Sequence, residues 1–306
     1  MTSIERISYG GWPACWQLRN SSVELVATSD VGPRVMRFAF VGGENALCEL
    51  PDTLGKTGGS EWRNYGGHRL WHAPESQPRT YHPDNAPVHV QALENGIRLT
   101  QPTEPTTGIQ KELQLTLDPH AAQATLHHHL TNQNLWPVTL APWAITVMAA
   151  GGVAAFALPP RGSHSADLLP TGSLSLWSYT DMSDARWTWG SCYVLLRQDP
   201  SAKTPQKAGG PVPAGWAAYW RAGLLFVKSF PFLPAAEYPD RGCSFETYTD
   251  GQTLELESLG PLATLQPGAS VEHVERWYLV RGVPPVAHEA DVTAHVLPRL
   301  PALLAA

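Results

Sequence analysis

Apolar and polar residues alternate with a period of two along most of this chain, the pattern of strands with one buried face. It is cleanest at Ile109–Leu117 and Gln123–Leu130, where Leu113, Leu115 and Leu117, then Ala124, Leu126, His128 and Leu130, fall on one face and Asp118-Pro119 joins the two runs. Similar runs predict strands at Cys15–Arg19, Val23–Thr28, Val35–Val41, Leu47–Leu50, Val88–Leu93 and Ile97–Gln101. Others follow at Val138–Thr146, Val153–Leu158, Cys192–Arg197, Trp216–Arg221, Leu224–Phe230 and Ser270–Arg281. Turn signals roughly every eight to twelve residues predict an all-β sandwich. Only His288–Val296 predicts a helix, a terminal one, and residues 198–213 read as an exposed, linker-like loop. No internal repeat or composition shift marks a boundary, so residues 1–306 are expected to form one domain.

The hairpin between Cys243 and Gly268 organises the rest. Phe245, Thr247 and Thr249 alternate with Glu246 and Tyr248, Asp250-Gly251 turns the chain, and Thr253–Glu257 returns. An Asp-Gly pair in a two-residue turn predicts positive φ at both positions. Leu254 and Leu256 point one way and Glu255 and Glu257 the other, so two carboxylates share a strand face. By periodicity that face is either solvated or part of a site.

Composition narrows the classes. Twelve Trp, 28 Pro and 26 Gly suit a β-rich chain, and some of the Trp can serve as flat platforms for sugar rings. A net charge of −6 gives no footprint for nucleic acid. Four scattered Cys without a C-x-x-C read as buried thiols of a reducing compartment. The first residues lack the apolar core of a secretory signal. The longest apolar run, Trp143–Leu158, is split by Gly151-Gly152 and reads as two buried strands, not a membrane span. A cytoplasmic protein is expected.

The densest polar and aromatic stretch is Trp62–Glu75, with His68, Arg69, Trp71 and His72. Four-residue His spacing allows a metal, but Gly66-Gly67 and Pro74 argue against a regular element here; polar contacts to a small molecule are a better reading than a metal, and for any single one of these residues a satisfied surface or loop role comes first. In His127-His128-His129 the middle residue faces opposite to its neighbours, as in cross-strand packing. Lys228, on an apolar strand, seeks a carboxylate or a ligand, or snorkels at an edge. The loop Glu237-Tyr238-Pro239-Asp240-Arg241 either brings polar groups to a strand end or is an ordinary turn.

The order of these features over about residues 12–281 resembles the galactose mutarotase-like superfamily, the aldose 1-epimerase type of β-supersandwich. The resemblance is carried by Tyr65-Gly66-Gly67-His68-Arg69-Leu70-Trp71, Asn132-Gln133-Asn134, Pro142-Trp143-Ala144-Ile145, Leu256-Glu257-Ser258 and Leu265-Gln266-Pro267-Gly268. It is nearest to a bacterial branch carrying Y-G-G-x-x-L-W-x-A-P and L-E-L-E-x-L-G-P. It implies an all-β fold with few short helices and Glu257 as general base. The family's general-acid His, in a His-x-Tyr-Phe-Asn-Leu stretch, is missing: the matching strand here carries Trp143. The family's His-Gly-Gly stretch has Tyr65 in place of the His.

The resemblance therefore implies a carbohydrate-active protein, an aldose epimerase or mutarotase-like isomerase. Glu257, His68 and His72 would be catalytic, with Glu255 another source of the acid. Arg69, Trp71, Trp143, Lys228, Tyr238, Asp240 and Glu246 would bind a sugar or sugar acid. The alternative is a non-catalytic sugar-binding or sensor protein on the same scaffold. No cofactor, metal, nucleic acid or membrane partner is expected.

Overall fold

The computed structural model describes residues 2–304. Two antiparallel sheets pack face to face. One runs in the order Ser3–Tyr9, Trp12–Arg19, Val23–Thr28, Arg34–Phe40, His68–Ala73, Val138–Met148, Leu254–Leu259, Phe245–Thr249, Gln206–Gly210 and Ser175–Leu176, with Ala263–Leu265 paired to Val138–Met148. The other runs Trp187–Trp189, Tyr193–Arg197, Val153–Ala157, Trp216–Arg221, Leu224–Ser229, Ser270–Val280, Gln123–Asn132, Ile109–Leu117, Gly96–Thr100 and His89–Leu93.

The alternating runs supply the apolar layer between the sheets. Phe38 from the first sheet meets Phe226 and Trp277 of the second at ring-centroid distances of 6.4 and 5.8 Å, and Phe156 meets Phe245 at 5.2 Å. The apolar run Trp143–Leu158 is two strands, as its Gly-Gly break predicts, but they belong to different sheets, and the turn crosses between them. The terminal helical turns, Glu289–Asp291 through Leu300–Leu304, place Val292, Val296 and Leu300 on the outer face of the second sheet.

Several segments correct the sequence reading: Leu47–Leu50 forms only isolated bridges at Leu47 and Glu49, and Ser3–Tyr9 is an added strand at the sheet edge. His68–Ala73 is a strand with all six residues buried, despite the flanking Gly66-Gly67 and Pro74. The glycines launch it. Both have positive φ, and a Cβ on Gly67 would lie 2.2 Å from the Val35 carbonyl oxygen. Gln206–Gly210, inside the supposed linker, is also a fully buried strand, paired on both edges. The hairpin pairs Phe245–Thr249 with Leu254–Leu259, but its connection is longer than two residues and neither Asp250 nor Gly251 has positive φ. Asp250 Oδ1 instead accepts from the amides of Gln252 and Thr253 at 2.8 and 2.7 Å, a side-chain-stabilised turn.

Candidate functional site

Sheet register assembles the site on the outer face of the first sheet. One row across the strands reads Arg69, Ile145, Glu257, Glu246, Gly209. The row on one side holds Trp71, Trp143 and Leu259, and the row on the other holds Val147, Glu255, Tyr248 and Lys207. Residues directly opposite, or two apart on a strand, share a face, so the three rows project together. Loop residues Trp62, Tyr81 and Tyr179 and the hairpin residues Asp250 and Thr253 complete a cavity of about 280 Å³. Trp71 packs edge-on against Trp62, Tyr81 and Trp143 at 5.2, 5.0 and 5.4 Å, forming an aromatic wall.

Glu257 is fully buried and sits in this cavity. Its Oε2 accepts from the Trp143 indole N–H at 2.9 Å and from the Lys207 ammonium at 2.8 Å, while its Oε1 is buried with no partner among the described residues. Lys207 also lies 2.8 Å from Glu246 Oε2, and its ammonium sits 4.8 Å from the Trp143 ring and 4.7 Å from Trp177. Burial works to lower the Lys207 pKa, but the two carboxylates outweigh it and hold it well above the usual lysine value. Glu246 is pushed up to about 8, chiefly by burial, against the attraction of Lys207. Gly209 makes room for Glu246: a Cβ there would meet Glu246 Cγ at 2.7 Å.

The second pair is Arg69 and Glu255, 3.1 Å apart. Arg69 also stacks 4.7 Å from the Trp71 ring and 5.5 Å from Trp62. Burial raises the Glu255 pKa although Arg69 opposes it.

The structure brings Glu257, Arg69, Trp71, Trp143 and Glu246 together. It places five other expected site residues elsewhere. His68 and His72 alternate with Arg69 and Trp71, so they point into the space between the sheets. His68 Nε2 lies 2.8 Å from His128 Nε2, and His72 lies 3.7 Å from Glu104, which pairs with Lys111. Lys228 is fully buried in the same interior, where it pairs with Glu275 at 2.7 Å and donates to the carbonyls of Ala144 and Leu256. The Tyr238 hydroxyl accepts from the Leu233 amide, and its ring stacks on Phe232. Asp240 borders a separate cavity with Trp177 and Arg241.

His68, His128 and Glu275 hold three candidate ligand atoms within 4.8 Å of one another. Hydrogen bonding already occupies them. His128 Nδ1 must donate to the His273 carbonyl at 2.8 Å, which leaves its Nε2 to accept from His68 Nε2–H and His68 Nδ1 to accept from Thr146 Oγ1–H at 2.9 Å. Glu275 accepts from Lys228, Trp277 and Ser258. The group is a satisfied polar chain with an ammonium in it.

Sequence reasoning missed Lys207, Trp62, Tyr81, Tyr179 and Tyr248. For Lys207 a faint signal existed: Gln206, Ala208 and Gly210 alternate with Lys207 and Gly209, a strand period inside a polar stretch.

Comparison with known proteins bears on the fold. No protein-family model matches the chain, and no curated protein matches it. Solved structures do. The Slr1438 protein of Synechocystis sp. PCC 6803 is 14% identical over 90% of this chain and 99% of its own, with a TM-score of 0.57. A galactose mutarotase-like protein from Lactobacillus casei ATCC 334 is 9% identical over 86% of this chain and 99% of its own, with a TM-score of 0.53. A galactose mutarotase-related enzyme from Lactobacillus acidophilus is 8% identical over 89% of this chain and 99% of its own, with a TM-score of 0.54. The chain therefore has the galactose mutarotase-like fold, a sandwich of two antiparallel sheets with few helices.

Proposed function

We propose that the cavity binds a neutral aldose and interconverts its anomers, with Glu257 as general base. The observation that carries this reading is the Glu257 carboxylate: buried among Trp rings, fixed through Oε2, with Oε1 free to take a proton. At about 280 Å³ the cavity lies at the small end of ligand pockets, which run roughly 300–1,000 Å³, and suits a single sugar ring. Its charged lining comprises Glu75, Asp250, Glu255 and Glu257 against Arg69 and Lys207, and both cations already face carboxylates. That balance favours a neutral sugar over a sugar acid.

Glu257 Oε1 would remove the anomeric hydroxyl proton as the ring C–O bond opens, and a second group would protonate the ring oxygen. Glu255 suits that role in place of the missing His. It lines the same cavity two residues along the strand, about 6.6 Å by strand rise, and although it is the carboxyl group that faces Arg69, burial raises its pKa and so eases its taking up the proton it would donate. Lys207 keeps a positive charge beside Oε2 and holds Glu257 in place. Rotation about C1–C2 and the reverse proton transfers give the other anomer with no net proton change.

A second reading is sugar binding without turnover. It is favoured by Trp143, whose indole stands in the strand that carries the acid His in the mutarotases. Exchange NMR on a panel of aldoses, with calorimetry on the same panel, separates the two. Anomer exchange above the buffer rate for at least one sugar supports the isomerase. Binding with exchange at the buffer rate for every sugar supports the second reading, and no binding at all overturns both.

A further inference from the structure

We propose that the ligand is longer than one ring: a neutral oligosaccharide whose terminal unit occupies the aromatic cavity while the next units lie in an adjoining groove. This rests on the sugar reading of the cavity. Asn64, Asp250 and Thr253 line both the aromatic cavity and a second, open cavity of about 870 Å³, so the two meet at the hairpin tip with those residues as their common rim. The second cavity has roughly three times the volume of the first, room for about two or three further rings if one ring fills the first.

The chemistry of the groove fits the same ligand. Its charged residues are Arg37 and Arg221 against Glu44, Glu49, Asp52 and Asp250, an acidic excess like that of the inner cavity. Both basic residues are neutralised: Arg37 by Glu24 at 2.8 Å and Arg221 by Glu44 at 2.8 Å. An anionic extension such as a phosphate or a uronate meets no unpaired cation. Among the described residues the groove has no aromatic lining, so a flat aryl group finds no stacking partner, whereas hydroxyls meet exposed polar groups such as Gln252 and Asp52. The partition is functional in form. The ring undergoing chemistry lies against the Trp wall, and the remainder of the chain lies in an open groove whose apolar floor, with Leu47, Leu50, Pro51 and Ala149, carries polar groups at its rim.

Calorimetry on the full chain tests this with glucose and galactose and with linear di- and trisaccharides ending in them. The expected result is a trisaccharide affinity about tenfold above that of the matching monosaccharide. Ala150→Trp fills the groove from an exposed position away from the inner cavity, and Gln252→Trp does so from the hairpin side. Each should abolish the trisaccharide advantage and leave monosaccharide affinity unchanged. Equal affinities for mono- and trisaccharides in the wild type, or a trisaccharide advantage that survives both substitutions, overturns the extended site while the single-ring reading stands. Failure of sugars of every length to bind overturns both.

Discussion

At the residue scale, Lys207 holds the site's electrostatics together. Removing it leaves Glu246 and Glu257 facing each other, buried, without their cation. Lys207→Met should cost about 3–5 kcal/mol in urea unfolding, the range for breaking one side of a buried ion pair. Adding Glu246→Gln should restore part of that, because Glu257 then has no second buried acid beside it. If Lys207→Met is as stable as the wild type, the ammonium is not the counter-charge described.

The interior histidines make a separate prediction. His128 and His273 are held down to about 4 and about 3, in each case chiefly by burial. The unfolded chain binds protons on both below about pH 6.5, and the native state does not until those lower values. Their contribution to stability is present above pH 6.5 and is lost as pH falls, with a slope of about 2.5 kcal/mol per pH unit near pH 5. Glu246 acts with the opposite sign. Its raised value means the native state binds the extra proton between about 4.5 and 8, so its contribution falls as pH rises through that window. Nitrogen-15 NMR should show His128 as the neutral Nδ1–H tautomer at pH 6. A charged His128 at that pH contradicts the hydrogen-bond chain.

Of these residues, the shared face of Glu255 and Glu257 was legible, because period two fixes it wherever the strand lies. Whether that face was solvated was not, because burial comes from Trp62, Trp71, Tyr81 and Trp143, all more than a hundred residues away in sequence. Lys207 was hidden for the same reason: its partner Glu257 is fifty residues on.

At the element scale, strands with one buried and one solvated face were read correctly, as at Ile109–Leu117, whose burial alternates residue by residue. Ser3–Tyr9, mostly polar and exposed, was missed, as were the short strands Ser175–Leu176, Trp187–Trp189 and Ala263–Leu265, and two further missed strands are buried on both faces. His68–Ala73 carries His and Arg at buried positions, and Gln206–Gly210 carries Gln, Lys and two Gly, so neither shows an apolar stripe. His68, Arg69, Gln206 and Lys207 pair with distant residues, which local patterning does not record. Amide exchange should find Gln206–Gly210 slow where it pairs with Phe245–Thr249, and exchange at the rate of the exposed 160–173 segment contradicts the strand. The Gly66-Gly67 turn is equally specific. Gly67→Ala combines positive φ with a clash against the Val35 carbonyl and should destabilise by at least about 1–3 kcal/mol. Wild-type stability in that variant would mean the turn relaxes freely.

At the scale of the molecule, the outer face of one sheet supplies the cavity, and the space between the sheets supplies its support. Lys228 donates to the Ala144 and Leu256 carbonyls, which lie on the two strands that present Trp143 and Glu257 to the cavity. The all-β architecture followed from turn spacing and from the family resemblance. The histidines offered as acid partners did not survive assembly, because one residue of register separates the two faces of a strand. Glu255, already on the cavity face, takes their place in the proposed mechanism. The central claim is that Glu257 moves a proton on a bound sugar. Its most direct test is the anomer exchange rate of an aldose that binds, measured by NMR with wild type and Glu257→Gln at matched concentration and pH. The account predicts exchange above the buffer rate for the wild type and a fall of at least about a hundredfold in the enzyme-dependent rate for Glu257→Gln, with binding retained. Equal enzyme-dependent rates for the two proteins would contradict it.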